Sequence, residues 1–144
     1  MGKLIILPST FQGSPRHMQH NYQDAMAILR KYGSPDLFVT FTCKPTWSEI
    51  LNALESQQRP GNRSDIIVRI FKMKLTELLD DLLKKNIFSK VIAYIDVIEF
   101  QKRGSPHAHI LLTLDLCSKI RNNVDIDNFV CAELPNKSVN PRLF

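Results

Sequence analysis

Glu99-Phe100-Gln101-Lys102-Arg103-Gly104-Ser105-Pro106-His107-Ala108-His109 joins two apolar, strand-like runs, Val91 to Phe100 and His107 to Leu114. Gly104-Ser105-Pro106 supplies the turn chemistry between them. Side chains alternate along a strand with period two, so His107 and His109 share one face. Glu99 and Gln101 likewise share a parity at the end of the preceding strand. A hairpin that closes here brings two imidazoles beside a carboxylate and an amide oxygen, a donor set for a divalent cation. Imidazole favours Mn²⁺ over Mg²⁺ on softness, while cellular abundance favours Mg²⁺.

The remaining elements read outward from this hairpin. Ser14-Pro15 predicts a helix start, with a capping hydroxyl followed by proline at the first helical position. Met18, Tyr22, Ala25, Met26 and Leu29 follow at helical spacing, and Gly33 offers a stop. Leu37 to Thr42 is β-branched and aromatic and predicts a buried strand. Pro45 ends it, Trp47 to Leu54 predicts a short helix, and Gln57 to Asn62 a polar loop. A long helix follows, capped by Ser64 or Asn62, with an apolar stripe at Ile67, Ile70, Phe71, Leu75, Leu78, Leu79 and Leu82. Lys84 and Lys85 are placed to complement its dipole. A last short helix is expected from Asp125 or Asp127 through Val130-Cys131-Ala132-Glu133, and the tail to Phe144 reads as a chain cut before its next element.

This order predicts an α+β fold in a single domain, residues 1–144: a small antiparallel sheet, the histidine strand near its centre, and helices packed on one face. A hydrophobic content of 44% over 144 residues is enough for one real core. Cys43, Cys117 and Cys131 are odd in number and widely spaced, matching neither a disulfide framework nor a zinc finger. The four-residue apolar run after Lys3 is too short for a signal peptide, and Ile6 breaks the myristoylation pattern. No segment is apolar and long enough to span a bilayer. The expectation is an intracellular protein, nuclear or cytoplasmic, with no membrane partner.

The net charge is +5 and favours a polyanionic partner. Arg59, Arg63, Arg69, Lys72 and Lys74 form one basic group, and Lys84, Lys85 and Lys90 another. Lys102 and Arg103 lie in the turn beside the histidines, which points to nucleic acid.

Four blocks carry a resemblance to a known family. The run Glu99 to Leu112 resembles the HUH endonuclease motif of Helitron rolling-circle transposases, in which two histidines flank a bulky apolar residue; here that residue is the small Ala108. Asn21 to Ile28 resembles the family's N-terminal helix. Pro35 to Trp47 resembles its strand motif, with Lys44 where asparagine is usual, and Cys131-Ala132-Glu133-Leu134-Pro135-Asn136 also matches. The similarity runs from about Leu7 to the end of the chain.

The resemblance implies a ferredoxin-like or RRM-like palm and a metal-dependent attack by tyrosine on a phosphodiester of single-stranded DNA. The products are a 5′-phosphotyrosine and a free 3′-OH. It implies that His107 and His109 are metal ligands, with Glu99 or Gln101 as the third, and Mn²⁺ or Mg²⁺ as the ion. Lys102, Arg103, Thr40, Thr42 and Lys44 are the expected DNA contacts, although Thr40, Thr42 and Cys43 could equally do no more than finish the strand.

Family tyrosines lie on a helix downstream of the histidine strand, followed by a helicase domain. This sequence has Tyr22, Tyr32 and Tyr94 and none beyond. The expected function is therefore metal and single-stranded DNA binding without efficient covalent cleavage. The alternatives are a non-catalytic nucleic-acid-binding palm and a decayed transposon remnant. His17 and His20 offer a second metal pair or ordinary helix-surface residues, and Trp47 a base-stacking residue or a core anchor. A histidine-triad hydrolase is excluded because position 111 is leucine.

Overall fold

The computed structural model describes residues 6–55, 57–100 and 105–130, with Asn128 described in its backbone only. Helix α1 (Pro15–Tyr32) begins as its sequence predicts. The Ser14 hydroxyl accepts from the His17 N–H at 3.1 Å and donates to the Pro8 carbonyl at 3.0 Å. Gly33 ends the helix at φ 87°, a conformation that favours glycine.

Strand β1 (Leu37–Thr42) leads through α2 (Ser48–Asn52) and a 3₁₀ turn (Pro60–Asn62) into α3 (Ser64–Leu83). Then come β2 (Val91–Phe100), β3 (Pro106–Leu114) and α4 (Asn123–Phe129). The three strands form one antiparallel sheet in the order β1-β3-β2, so the histidine strand is central, as expected. Two strands joined through a helix, with the third inserted antiparallel between them, make a split βαβ unit. A fourth strand, which a complete ferredoxin-like sheet needs, is not among the described residues.

Alternation on β3 decides which face carries the core. Ala108, Ile110 and Leu112 are fully buried, whereas His107, His109 and Leu111 are half-buried on the opposite side. The buried row meets Ile67, Phe71, Leu75 and Leu82 of α3, a helix without glycine or proline whose apolar positions recur at three- and four-residue steps. Phe41 bridges the layers, its ring 5.3 Å from that of Phe71. Trp47 packs against this core, 5.7 Å from Phe41, which makes it a core anchor.

Several local expectations need correction. Leu37 to Thr42 is buried on one side only: Leu37, Val39 and Phe41 face the core while Phe38, Thr40 and Thr42 are exposed, because α3 covers a single face of this strand. Neither Ser64 nor Asn62 caps α3; Arg63 is the cap residue, with no side-chain bond to the helix end. Lys84 is the C-cap residue of α3 and Lys85 follows it, and they also pair with Asp80 and Asp81 one turn back, at 2.8 and 2.6 Å. Helix α4 starts earlier than expected. Asn122 and Asp125 form a reciprocal capping box, which places Asp125 at the third helical position. It ends at Phe129, since Val130 is already extended.

Candidate metal and nucleic-acid site

The face of the sheet opposite α3 carries the candidate site. Cross-strand pairing sets Thr42, His107 and Glu99 in one row across β1, β3 and β2, and Thr40, His109 and Val97 in the next. Directly paired residues project to the same side. Hairpin closure therefore brings Glu99 to the histidines, as the parity of the sequence predicts. The two imidazole rings meet edge to face with centroids 4.5 Å apart.

Each imidazole has a different partner. His107 Nδ1 is 2.7 Å from Thr42 Oγ1, a short hydrogen bond. When Nδ1–H donates to that hydroxyl, the lone pair of Nε2 is left for a ligand. His109 Nε2 lies 3.5 Å from Glu99 Oε2, an electrostatic contact longer than a good hydrogen bond. His109 Nδ1 is buried and has no hydrogen-bond partner. Nε2 is therefore the His109 nitrogen that reaches the face shared with Glu99.

Backbone ties hold the strands under the site. At one end the Cys43 N–H donates to the Pro106 carbonyl at 3.1 Å, and burial pushes the Cys43 thiol above its ordinary pKa. At the other, the Asp36 N–H donates to the Leu112 carbonyl and the Asp36 carboxylate accepts from the Leu114 N–H, both at 2.9 Å.

Two imidazoles and a carboxylate, donor types that a borderline divalent cation takes, share this face. His107 is the better prepared ligand because its second nitrogen is already satisfied. Among the described residues, no group of three His, Cys, Asp or Glu side chains closes around a common point. Gln101, the rival third ligand, lies outside the described residues, as do Lys102 and Arg103 of the expected DNA contacts. Thr40 is exposed opposite His109, and Lys44 is exposed just past the end of β1. Thr42 is already engaged by His107, so its first role is to orient that ring.

His17 and His20 do not join the sheet site. His20 pairs with Asp24 at 3.1 Å on the exposed surface of α1, and His17 faces Asn21 at 3.5 Å. Tyr94 pairs in register with buried Leu112 and so projects away from the histidines.

One residue escaped the sequence reading. The Phe38 ring lies parallel to that of His109, 5° between planes and 5.5 Å between centroids, yet Phe38 is 61% exposed. Its parity with Thr40 and Thr42 was the available signal. Among the described residues, no helix is long and apolar enough to cross a membrane.

No curated protein matches the sequence. The chain does match, over residues 1–112 of 144, the family model described as the Helitron helicase-like domain at the N-terminus. That match spans every element from α1 to the histidines of β3 and takes in three of the four blocks that carried the resemblance; Cys131 to Asn136 lies beyond it. The chain therefore belongs to the Helitron helicase-like N-terminal domain family and is a Helitron transposase-related domain.

Proposed function

We propose that this domain holds a divalent cation, Mn²⁺ or Mg²⁺, and a single DNA strand on the open face of its sheet. The observation that carries the reading is the shared face of His107, His109 and Glu99, with His107 oriented by Thr42. A Glu99 carboxylate beside the histidines repels a phosphate unless a cation lies between them. Bound there, the cation supplies charge stabilisation on the phosphate oxygens. His107 and His109 bind through ring nitrogens, and Glu99 or Gln101 completes the set. Thr40 and Lys44, both exposed, contact the strand around it, and Lys102 and Arg103 are the further contacts expected from the sequence.

Nicking in this family's manner needs a tyrosine hydroxyl to attack phosphorus. A P–O bond to tyrosine forms, the P–O3′ bond breaks, and the tyrosine proton is taken up as the 3′-OH leaves. Tyr94 points to the other side of the sheet, and Tyr22 and Tyr32 belong to α1. These residues alone accordingly bind and orient the strand without cutting it efficiently, and the nucleophile comes from another chain or a longer product. In a longer product, a helicase domain is the expected neighbour, and the nucleus the expected compartment.

The test is Mn²⁺ titration of the protein and of a His107→Ala/His109→Ala double variant, with a labelled single-stranded oligonucleotide present. Loss of metal binding in the variant, with DNA bound by the parent and no covalent adduct, supports the proposal. An adduct in the parent overturns the tyrosine reasoning. Equal, negligible metal binding in both proteins overturns the site itself.

A further inference from the structure

We infer that Phe38 is a stacking platform for one nucleobase of the bound strand, an inference that rests on the single-stranded DNA reading above. Phe38 projects from the same side of β1 as Thr40 and Thr42, and with 61% of its surface in water it is among the most exposed aromatic residues described. Its ring is parallel to His109 but offset, so one edge braces the imidazole while much of the ring stays open. An unstacked base covers such a ring at little entropic cost, because phenylalanine has only two rotatable side-chain bonds.

The setting favours a base over an apolar protein partner. On this face Phe38 pairs directly with half-buried Leu111; the next row along holds the exposed Thr40 hydroxyl and the His109 imidazole, and the row beyond it Thr42, His107 and Glu99. Along β1 the exposed ring leads into a polar row toward the histidines, in a chain of net charge +5, which favours an anionic strand over an apolar partner. The apolar neighbours of Phe38 in the same row, Leu111 and Ile95, are half-buried and carry no ring, so Phe38 is the exposed aromatic of that row. Base stacking on sheet aromatics is a general mode of single-strand recognition.

The spacing assigns the base. Strand residues advance by about 3.4 Å each, so Phe38 stands roughly 7 Å along β1 from Thr40, the partner of His109. A single nucleotide of an extended strand bridges that gap. The stacked base thus belongs to the nucleotide adjoining the phosphate at the histidines, and Phe38 sets where along the strand that phosphate sits.

The experiment is fluorescence anisotropy with a labelled single-stranded oligonucleotide in Mn²⁺, comparing the parent with Phe38→Ala, Phe38→Leu and Phe38→Trp, and with Mn²⁺ affinity measured in parallel. Phe38→Ala should weaken DNA binding about 5- to 140-fold, the range for losing one stacked base, while Mn²⁺ affinity stays unchanged. Phe38→Trp should restore binding and Phe38→Leu should not. A single abasic position in the oligonucleotide should reproduce the loss, and that oligonucleotide should bind parent and Phe38→Ala equally. The inference is overturned if Phe38→Ala binds like the parent, if leucine serves as well as tryptophan, or if Mn²⁺ affinity falls together with DNA affinity, which would make Phe38 a positioning residue for His109. Normal DNA binding by Phe38→Ala sinks this inference alone; absence of DNA binding by the parent sinks the proposed function with it.

Discussion

Replacing Thr42 by valine tests whether the 2.7 Å contact to His107 Nδ1 prepares that ring for a metal. Valine keeps the β-branch and nearly the volume, so β1 and its pairing should persist. What disappears is the hydroxyl that, when it accepts from Nδ1–H, leaves the lone pair on Nε2. Loss of such an outer partner lowers metal affinity about 10- to 100-fold, or about 1.4–2.8 kcal/mol. Thr42 is exposed, so water can replace the hydroxyl in part and the lower end, about tenfold, is the expected result. Folding stability should move by less than about 1 kcal/mol, since an exposed hydrogen bond contributes little net. The assay is Mn²⁺ titration calorimetry of parent, Thr42→Val and Thr42→Ser, with urea unfolding as the stability control. Serine keeps the hydroxyl and should bind nearly as the parent does. Equal Mn²⁺ affinity in parent and valine variant, in a protein where His107→Ala abolishes binding, would refute the reasoning.

Three further outcomes follow from the packing and the charges. Phe71 is 2% exposed and stacks against Phe41, so Phe71→Ala should lose about 3–5 kcal/mol in urea unfolding; a loss below about 1 kcal/mol would show that α3 does not seal the core as described. Asp36→Ala strands the Leu114 N–H at the end of β3 and should lose about 1–3 kcal/mol, whereas Asp36→Asn keeps an acceptor and should lose less; equal losses would argue against the 2.9 Å bond. The Arg63 guanidinium, bonded to Asp65 at 2.9 and 2.8 Å, holds that carboxyl down to about 2. A depressed carboxyl stabilises the fold above its unfolded value and loses that contribution as pH falls from about 4 to about 2. Carboxyl NMR titration should find Asp65 near 2 in the parent and near its ordinary value in Arg63→Gln; an unchanged midpoint would rule out Arg63 as the cause.

Local physics was legible in the residues themselves. Ser14-Pro15 and Gly33 bracket α1, β-branched and aromatic residues mark β1, apolar runs mark β2 and the histidine strand, and the apolar stripe marks α3, because each depends on neighbours a few positions apart. The shared face of His107, His109 and Glu99 was likewise legible, since side chains alternate along each strand with period two. Sequence order could not say which face of the sheet α3 covers, because both faces of β1 are built from apolar and β-branched residues. Only tertiary packing left Phe38 in water and engaged Thr42 with His107, 65 positions apart in the chain. Helix ends shifted for local reasons instead: the Asn122–Asp125 box, between residues three apart, moved the start of α4, and Arg63 rather than Ser64 or Asn62 stands at the cap of α3. Contacts between distant residues are decided by how the layers close, and closure minimises exposed apolar area over the whole domain rather than within any one segment.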